Sequence, residues 1–174
     1  MRTVILGPPP PEVVALIESR RSTGADRFDE VWEGDLHMNP APHGRHQWLG
    51  VKLIVQLDPL ATRSGLFLYE GVNVGEPDDY RIPDVAILRE RLFLTYYPTA
   101  ALVVEVLSPG DESRQKFGFY AAHGVEELVI VDPATHTVEW YRSDGTTFGP
   151  VDRSDLLGID VADFTSQIDW PPAS

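Results

Sequence analysis

The chain has no cysteine, and that absence excludes a disulfide framework, thiolate zinc sites and cysteine nucleophiles. It is also poor in positive charge. Fourteen Lys and Arg stand against 27 Asp and Glu among 174 residues, a net charge of −13, so the surface as a whole is not built to carpet a polyanion or an acidic membrane. Charge is uneven along the chain. Residues 117–174 hold two basic and ten acidic residues, and residues 1–116 hold twelve and seventeen. The front two thirds is therefore where contact with nucleic acid is expected. No apolar run approaches the roughly 20 residues of a membrane span, and the opening Met-Arg-Thr-Val-Ile-Leu is too short for a signal-peptide core. These features are read as a soluble, cytoplasmic protein with no membrane partner. Gly-rich phosphate loops, nucleophile elbows and dinucleotide fingerprints are missing as well, which removes most nucleotide-driven and serine-hydrolase chemistry.

What is present is a core's worth of apolar side chains, 43% of the sequence, over a length typical of one domain spanning 1–174. Within it, residues 1–11 read as an N-terminal extension, stiffened by Pro8 to Pro11, and residues 143–174 as an acidic C-terminal segment. Val13, Val14, Leu16 and Ile17 recur at helical spacing before Gly24, predicting a short amphipathic helix over about 12–21. Arg27 to Met38 alternates and breaks at Glu33-Gly34-Asp35, the signature of a hairpin. From Gly44, Trp48, Leu49, Val51, Leu53, Ile54 and Leu57 describe a helix ending near Asp58-Pro59. Leu66 to Glu70 and Pro83 to Leu88 read as strands joined by a polar loop at Gly75 to Tyr80. Ala100 to Leu107 reads as a central strand. A turn at Ser108 to Asp111 leads into a helix carrying Phe117, Tyr120 and Ala121, then a buried strand from Glu127 to Val131 and a hairpin from Thr137. Strand, helix, strand in that order implies a βαβ crossover in a mixed sheet, hence an α/β or α+β fold with an N-terminal helix and hairpin.

Glu105 interrupts the otherwise apolar Ala-Ala-Leu-Val-Val-Glu-Val-Leu. A buried carboxylate needs a metal, a paired cation or a shifted pKa, because leaving it unpaired costs several kcal/mol. A structural ion pair is the alternative. Asp84 opens the strand Asp-Val-Ala-Ile-Leu, and strand period aligns it with Ala86 and Leu88, as it aligns Glu105 with Val103 and Leu107. Paired in suitable register, the two acids form a site for Mg²⁺ or Mn²⁺, which takes one or two carboxylates and completes its shell with water and phosphate oxygens. A turn acid is the other reading of Asp84. Lys116, beyond Asp111-Glu112-Ser113-Arg114, is placed to bring an ammonium over the acids, or else is solvated. His46, on the long helix, is a water-orienting base or phosphate donor, or a packed histidine. Glu33 supplies a further carboxylate or simply a turn residue. His37, His43 and His46 lack the spaced second pair that a zinc site requires.

Pro83-Asp84, Ala-Leu-Val-Val-Glu-Val-Leu-Ser-Pro-Gly-Asp-Glu, Lys116-Phe-Gly-Phe-Tyr-Ala-Ala-His-Gly-Val-Glu-Glu and Val-Ile-Val-Asp-Pro together resemble the Uma2 family of restriction-endonuclease-like proteins, within the PD-(D/E)XK nuclease superfamily. The resemblance extends to Glu33-Gly34-Asp35-Leu36, Met38-Asn39-Pro40 and His46-Gln47, covering about residues 27–142. It implies a restriction-endonuclease-like mixed sheet flanked by helices and Mg²⁺- or Mn²⁺-dependent hydrolysis of nucleic acid, with DNA expected. It implies Asp84 and Glu105 as metal ligands and Lys116 as the active lysine, with Glu33 and His46 as helpers, and by analogy a homodimer. Leu107 departs from the pattern, since a standard (D/E)XK motif has its lysine there. The competing reading is a catalytically inactive module of the same fold that binds DNA or a protein partner.

Overall fold

The computed structural model describes residues 3–6, 9–110 and 112–172 as two six-stranded sheets, a two-stranded sheet pairing Arg153–Ser154 with Ile159–Asp160, and four α-helices. Pro8 and Asp111 lie outside the described residues. The chain begins with β1 (Thr3–Ile5), α1 (Pro11–Thr23), β2 (Glu30–Trp32) and β3 (Asp35–Met38), then the long α2 (Gly44–Arg63). β4 (Phe67–Glu70), β5 (Asn73–Glu76), β6 (Asp79–Arg81), β7 (Val85–Leu88), β8 (Tyr96–Tyr97) and β9 (Leu102–Val106) follow. A 3₁₀ turn (Ser113–Lys116) runs into α3 (Phe117–Ala122), and the remainder is β10 (Glu127–Asp132), β11 (Thr137–Ser143), β12 (Phe148–Pro150), β13 (Arg153–Ser154), β14 (Ile159–Asp160) and α4 (Val161–Ser166). One sheet has the order β1-β3-β2-β6-β5-β8, the other β12-β11-β10-β9-β7-β4. β9 and β10 are parallel and joined through α3, the expected crossover, while β7 lies antiparallel on the other side of β9. Among the described residues no helix is long and apolar enough to cross a membrane.

Both faces of the second sheet are covered, which is why β7, β9 and β10 are apolar at nearly every position. Val85, Ile87, Leu102, Val104 and Val106 pack against Leu49, Leu53, Leu57 and Ala61 of α2 and against Phe164 and Ile168 of the C-terminal segment. Alternate residues, Ala86, Val103, Leu128 and Ile130, pack against Tyr120 of α3 and Val74 and Tyr97 of the first sheet. Leu49, Leu53 and Leu57 recur every four residues on one helix face and are fully buried. Each contributes on the order of 1.5–3 kcal/mol.

Four sequence expectations change. α1 forms but buries no residue, and Val14 and Leu16 are exposed. It is held by Arg20 instead, whose guanidinium grips both oxygens of buried Asp29 and the Asn39 carbonyl. α2 passes through Pro59 to Arg63. The missing amide would have served the carbonyl four residues back, on exposed Val55, where water can serve it, and buried Ala61 anchors the extra turn. The loop expected at Gly75 to Tyr80 is the β5–β6 hairpin, whose Gly75 has φ +121 and no room for a Cβ beside the Asp79 carbonyl. Part of the N-terminal extension is strand β1, paired to β3.

Glu127 ties the C-terminal segment to this sheet. Buried at the start of β10, it accepts hydrogen bonds from Trp140 Nε1 and Ser154 Oγ on one oxygen and from the Asp155 and Leu156 amides on the other. Glu127→Ala leaves those donors unsatisfied. It is expected to cost about 3 kcal/mol, read as a fall in urea midpoint, with residues 151–168 gaining amide exchange first. Unchanged exchange there would contradict the tie.

Candidate active site

The β7–β9 register pairs Val85 with Val104 and Ala86 with Val103. Continued by one residue, it sets Asp84 opposite Glu105, where β7 begins and β9 ends. Asp84 Oδ2 accepts the Val106 amide at 2.7 Å, which pins the aspartate to that strand end. His46, in the first turns of α2, reaches the same point. Its Nε2 lies 3.1 Å from the Val106 carbonyl and 3.4 Å from Asp84 Oδ2. A carbonyl only accepts, so Nε2 is the protonated nitrogen in this arrangement and acts there as a donor.

Glu105 points away from α2, toward α3. Lys116 closes the 3₁₀ turn and extends its ammonium to Glu105 Oε1 and Oε2 at 3.1 and 3.2 Å and to Glu30 Oε1 at 2.8 Å. Tyr120 donates to Glu105 Oε1 at 2.6 Å and Ser113 to Oε2 at 3.3 Å. Glu30, on β2, also accepts the Ile82 amide and the Trp32 indole N–H, each at 2.8 Å. All of Glu30, Glu105 and Lys116 are buried.

Burial pushes the Glu105 carboxyl up to about 7; the ammonium of Lys116 opposes this, and Asp84 and Glu30 reinforce it. For Glu30 burial also works upward, but the Lys116 charge and its hydrogen bonds prevail and hold the acid below its ordinary value. Burial works downward on Lys116, yet Glu105 and Glu30 raise it above the usual lysine range. Tyr120 is raised well above a free phenol by burial and then by Glu105, so it remains a donor.

A pH dependence follows from Glu105. A carboxyl whose folded pKa lies above its unfolded value binds a proton on folding, so its contribution to stability is greatest in acid and declines as pH rises from about 4.5 to about 7. The slope from this one group is at most about 1.4 kcal/mol per pH unit. Glu105→Gln is expected to flatten the wild-type stability curve in that window. A curve of unchanged slope would mean that Glu105 is ionised throughout.

Asp84, Glu105, Lys116 and His46 all line one cleft of about 610 Å³. Glu33 does not. It sits in the β2–β3 turn with φ 52, followed by Gly34 at φ 89, and its amide is bonded to Asp79. The carboxylate that β2 contributes to the cleft is Glu30, which the sequence reading passed over. The Glu33-Gly34 turn was the signal that could have found it, since two residues with φ above zero belong at the hairpin tip. Leu107 packs on the apolar cluster beneath α3, and the ammonium reaches Glu105 from Lys116 instead.

Glu30, Asp84 and Glu105 bring carboxylates to the cleft, and Lys116 meets two of them; such hard oxygen donors are of the kind that Mg²⁺ or Mn²⁺ takes. No group of three His, Asp or Glu side chains among the described residues is arranged to hold an ion by itself. Mg²⁺ asks for only one or two carboxylates plus water, and Asp84 and Glu105 both line the cleft.

Residues 16–157 match the family model of Uma2, described as "Putative restriction endonuclease". The chain belongs to the Uma2 family. A similar fold is seen in the crystal structure of a "putative nuclease belonging to DUF820" from Anabaena variabilis ATCC 29413, at 17% identity and a TM-score of 0.65, covering 79% of this chain and 89% of that one. No curated protein matches the chain. Membership in Uma2 and this likeness establish the restriction-endonuclease-like mixed α+β fold expected from the sequence.

Proposed function

We propose that this Uma2 protein is a metal-dependent nuclease that hydrolyses a phosphodiester of nucleic acid. The observation that carries the reading is the meeting of Asp84 and Glu105 at adjacent strand ends, with the Lys116 ammonium on Glu105, at the wall of an open cleft. Asp84 and Glu105 would hold Mg²⁺ or Mn²⁺, and the bound ion would supply a more acidic water and charge neutralisation at the phosphate. Lys116 keeps Glu105 in place and offsets negative charge where the phosphate approaches. Glu30 is a positioning residue that acts through Lys116, and Tyr120 fixes the Glu105 rotamer. His46 holds its proton at Nε2 and steadies Asp84 and the end of β9, a donor's role rather than a base's.

One observation favours the non-catalytic module. Glu105 Oε1 already accepts from Tyr120 and Lys116, and Oε2 from Ser113 and Lys116, which fills the carboxylate's acceptor positions. A metal at Glu105 must displace one of them, and Ser113, at 3.3 Å, is the weakest held.

Thermal melts decide between the two. The nuclease reading predicts that Mn²⁺ at about a hundred times its Kd raises Tm by roughly 5–10 °C, a gain of about 2.7 kcal/mol. The rise should be lost in Glu105→Gln and accompanied by oligonucleotide cleavage in Mg²⁺. Melts indifferent to metal, together with metal-independent oligonucleotide binding, would establish the module.

A further inference from the structure

A second cavity of about 390 Å³ adjoins the cleft and shares Phe28, Pro42, His46, Ile82 and Asp84 with it. Asp84 and His46 thus form the divide between the two spaces. Beyond the shared residues the lining adds apolar Val51, Ile54 and Pro83, while Gln47 brings an exposed amide, Arg27 an exposed guanidinium and Glu70 a carboxylate.

We propose that this cavity receives one unstacked nucleobase next to the phosphate at Asp84, so that the substrate is single-stranded or locally unpaired nucleic acid rather than an intact duplex. The inference rests on the nuclease reading. Three observations carry it. First, the walls offer no track for a duplex backbone: among the described residues, the two linings hold one lysine and one arginine, Lys116 bound by Glu30 and Glu105, and Arg27 within 3.8 Å of Glu70. Duplex binding depends on many such cations. Second, a shape-limited apolar space with an aromatic side chain and an amide beside the reacting phosphate is what a base requires for stacking and edge recognition.

Third, a glycine with open space before it borders the cavity. Gly50 lies in the interior of α2, where glycine weakens a helix relative to alanine, and its φ is ordinary. A Cβ built on it meets nothing within 4 Å, and Gly50 lines the cavity. A side chain there would improve the helix and occupy the space.

Gly50→Leu is therefore the sharpest probe, with Phe28→Ala as a second. Fluorescence of 2-aminopurine deoxyriboside, titrated with the intact chain, is expected to be quenched saturably. Affinity should fall about tenfold or more in each variant, the size expected for loss of one stacked base, while Gly50→Leu melts no lower than wild type. No saturable quenching, or equal affinity in both variants, overturns the pocket, and this arm needs no cleavage. In Mg²⁺, a single-stranded oligonucleotide should be cut at least about tenfold faster than the same strand in a duplex, with the preference collapsing in Gly50→Leu. Equal cutting of both overturns the inference and leaves the nuclease reading intact. Failure to cut either strand, with nucleoside binding still lost in Gly50→Leu, supports the pocket and removes the nuclease reading alone.

Discussion

Asp84→Asn is expected to abolish Mg²⁺-dependent cleavage, by about a thousandfold or more, while leaving the melting temperature near wild type. The substitution separates chemistry from architecture because asparagine is isosteric with aspartate. Its carbonyl oxygen can still accept the Val106 amide that now binds Asp84 Oδ2 at 2.7 Å, so the strand end keeps its tether. What it removes is a negative charge and a hard anionic donor, which would together be worth several kcal/mol in holding a dication beside a phosphate. Asp84 also raises the proton affinity of Glu105 across the strand pair. Loss of its charge should therefore bring Glu105 down, a secondary effect visible as a shift of the pH–stability curve toward acid. Wild type and variant cleaving at equal rates would show that the two acids do not work as a pair.

The site was legible in the sequence where strand periodicity governs, and illegible where tertiary packing does. Ala100 to Leu107 could be read as a doubly covered strand because a polar residue stands out in such a run. The same period that puts Val104 and Val106 toward α2 puts Glu105 toward Tyr120. Pairing with Asp84 then needed only an antiparallel register, which the structure supplies. Glu30 escaped notice because β2 is three residues long. So short a strand carries no period, and the neighbouring Asp29 and Glu33 are equally acidic. Only packing distinguishes them, for Asp29 binds Arg20, Glu33 sits in the turn and Glu30 meets Lys116.

The first sheet was underread for a related reason. Its strands are two to four residues long, and β5–β6 presents itself as Gly-Glu-Pro-Asp-Asp, a composition that turn chemistry claims first. Pro59 misled in the opposite direction. A proline usually ends a helix, but here the buried contact of Ala61 outweighs one lost hydrogen bond on the solvent side. The fold class, with its β9–α3–β10 crossover, survives these local errors because it depends on the long apolar runs.

Lys116→Met is expected to destabilise the protein by about 3–5 kcal/mol near neutral pH, lowering Tm by roughly 10 °C or more. Methionine fills similar space, so the loss measures charge more than packing. Without the ammonium, Glu30 and Glu105 are two buried carboxyls that have lost the cation they share, and both pKa values move up. The sign of the pH effect is then fixed. In wild type, Glu30 is held below its ordinary value, so its contribution is present above about pH 4.5 and fades in acid. In the variant, both acids have folded pKa values above the unfolded one, so stability is recovered in acid and lost as pH rises toward neutrality. The gap between variant and wild type should accordingly narrow at pH 5 and widen at pH 8. Adding Glu30→Gln to Lys116→Met should restore part of the loss, since it deletes one of the two buried charges that shared the cation, whereas Glu30→Gln in the wild-type background should destabilise. That reversal of sign in a double-mutant cycle is specific to a shared cation. Additive effects, or a Lys116→Met protein as stable at pH 8 as the wild type, would show that Glu30 and Glu105 are neutral in the native protein, and with them two of the carboxylates that the cleft offers a metal would disappear.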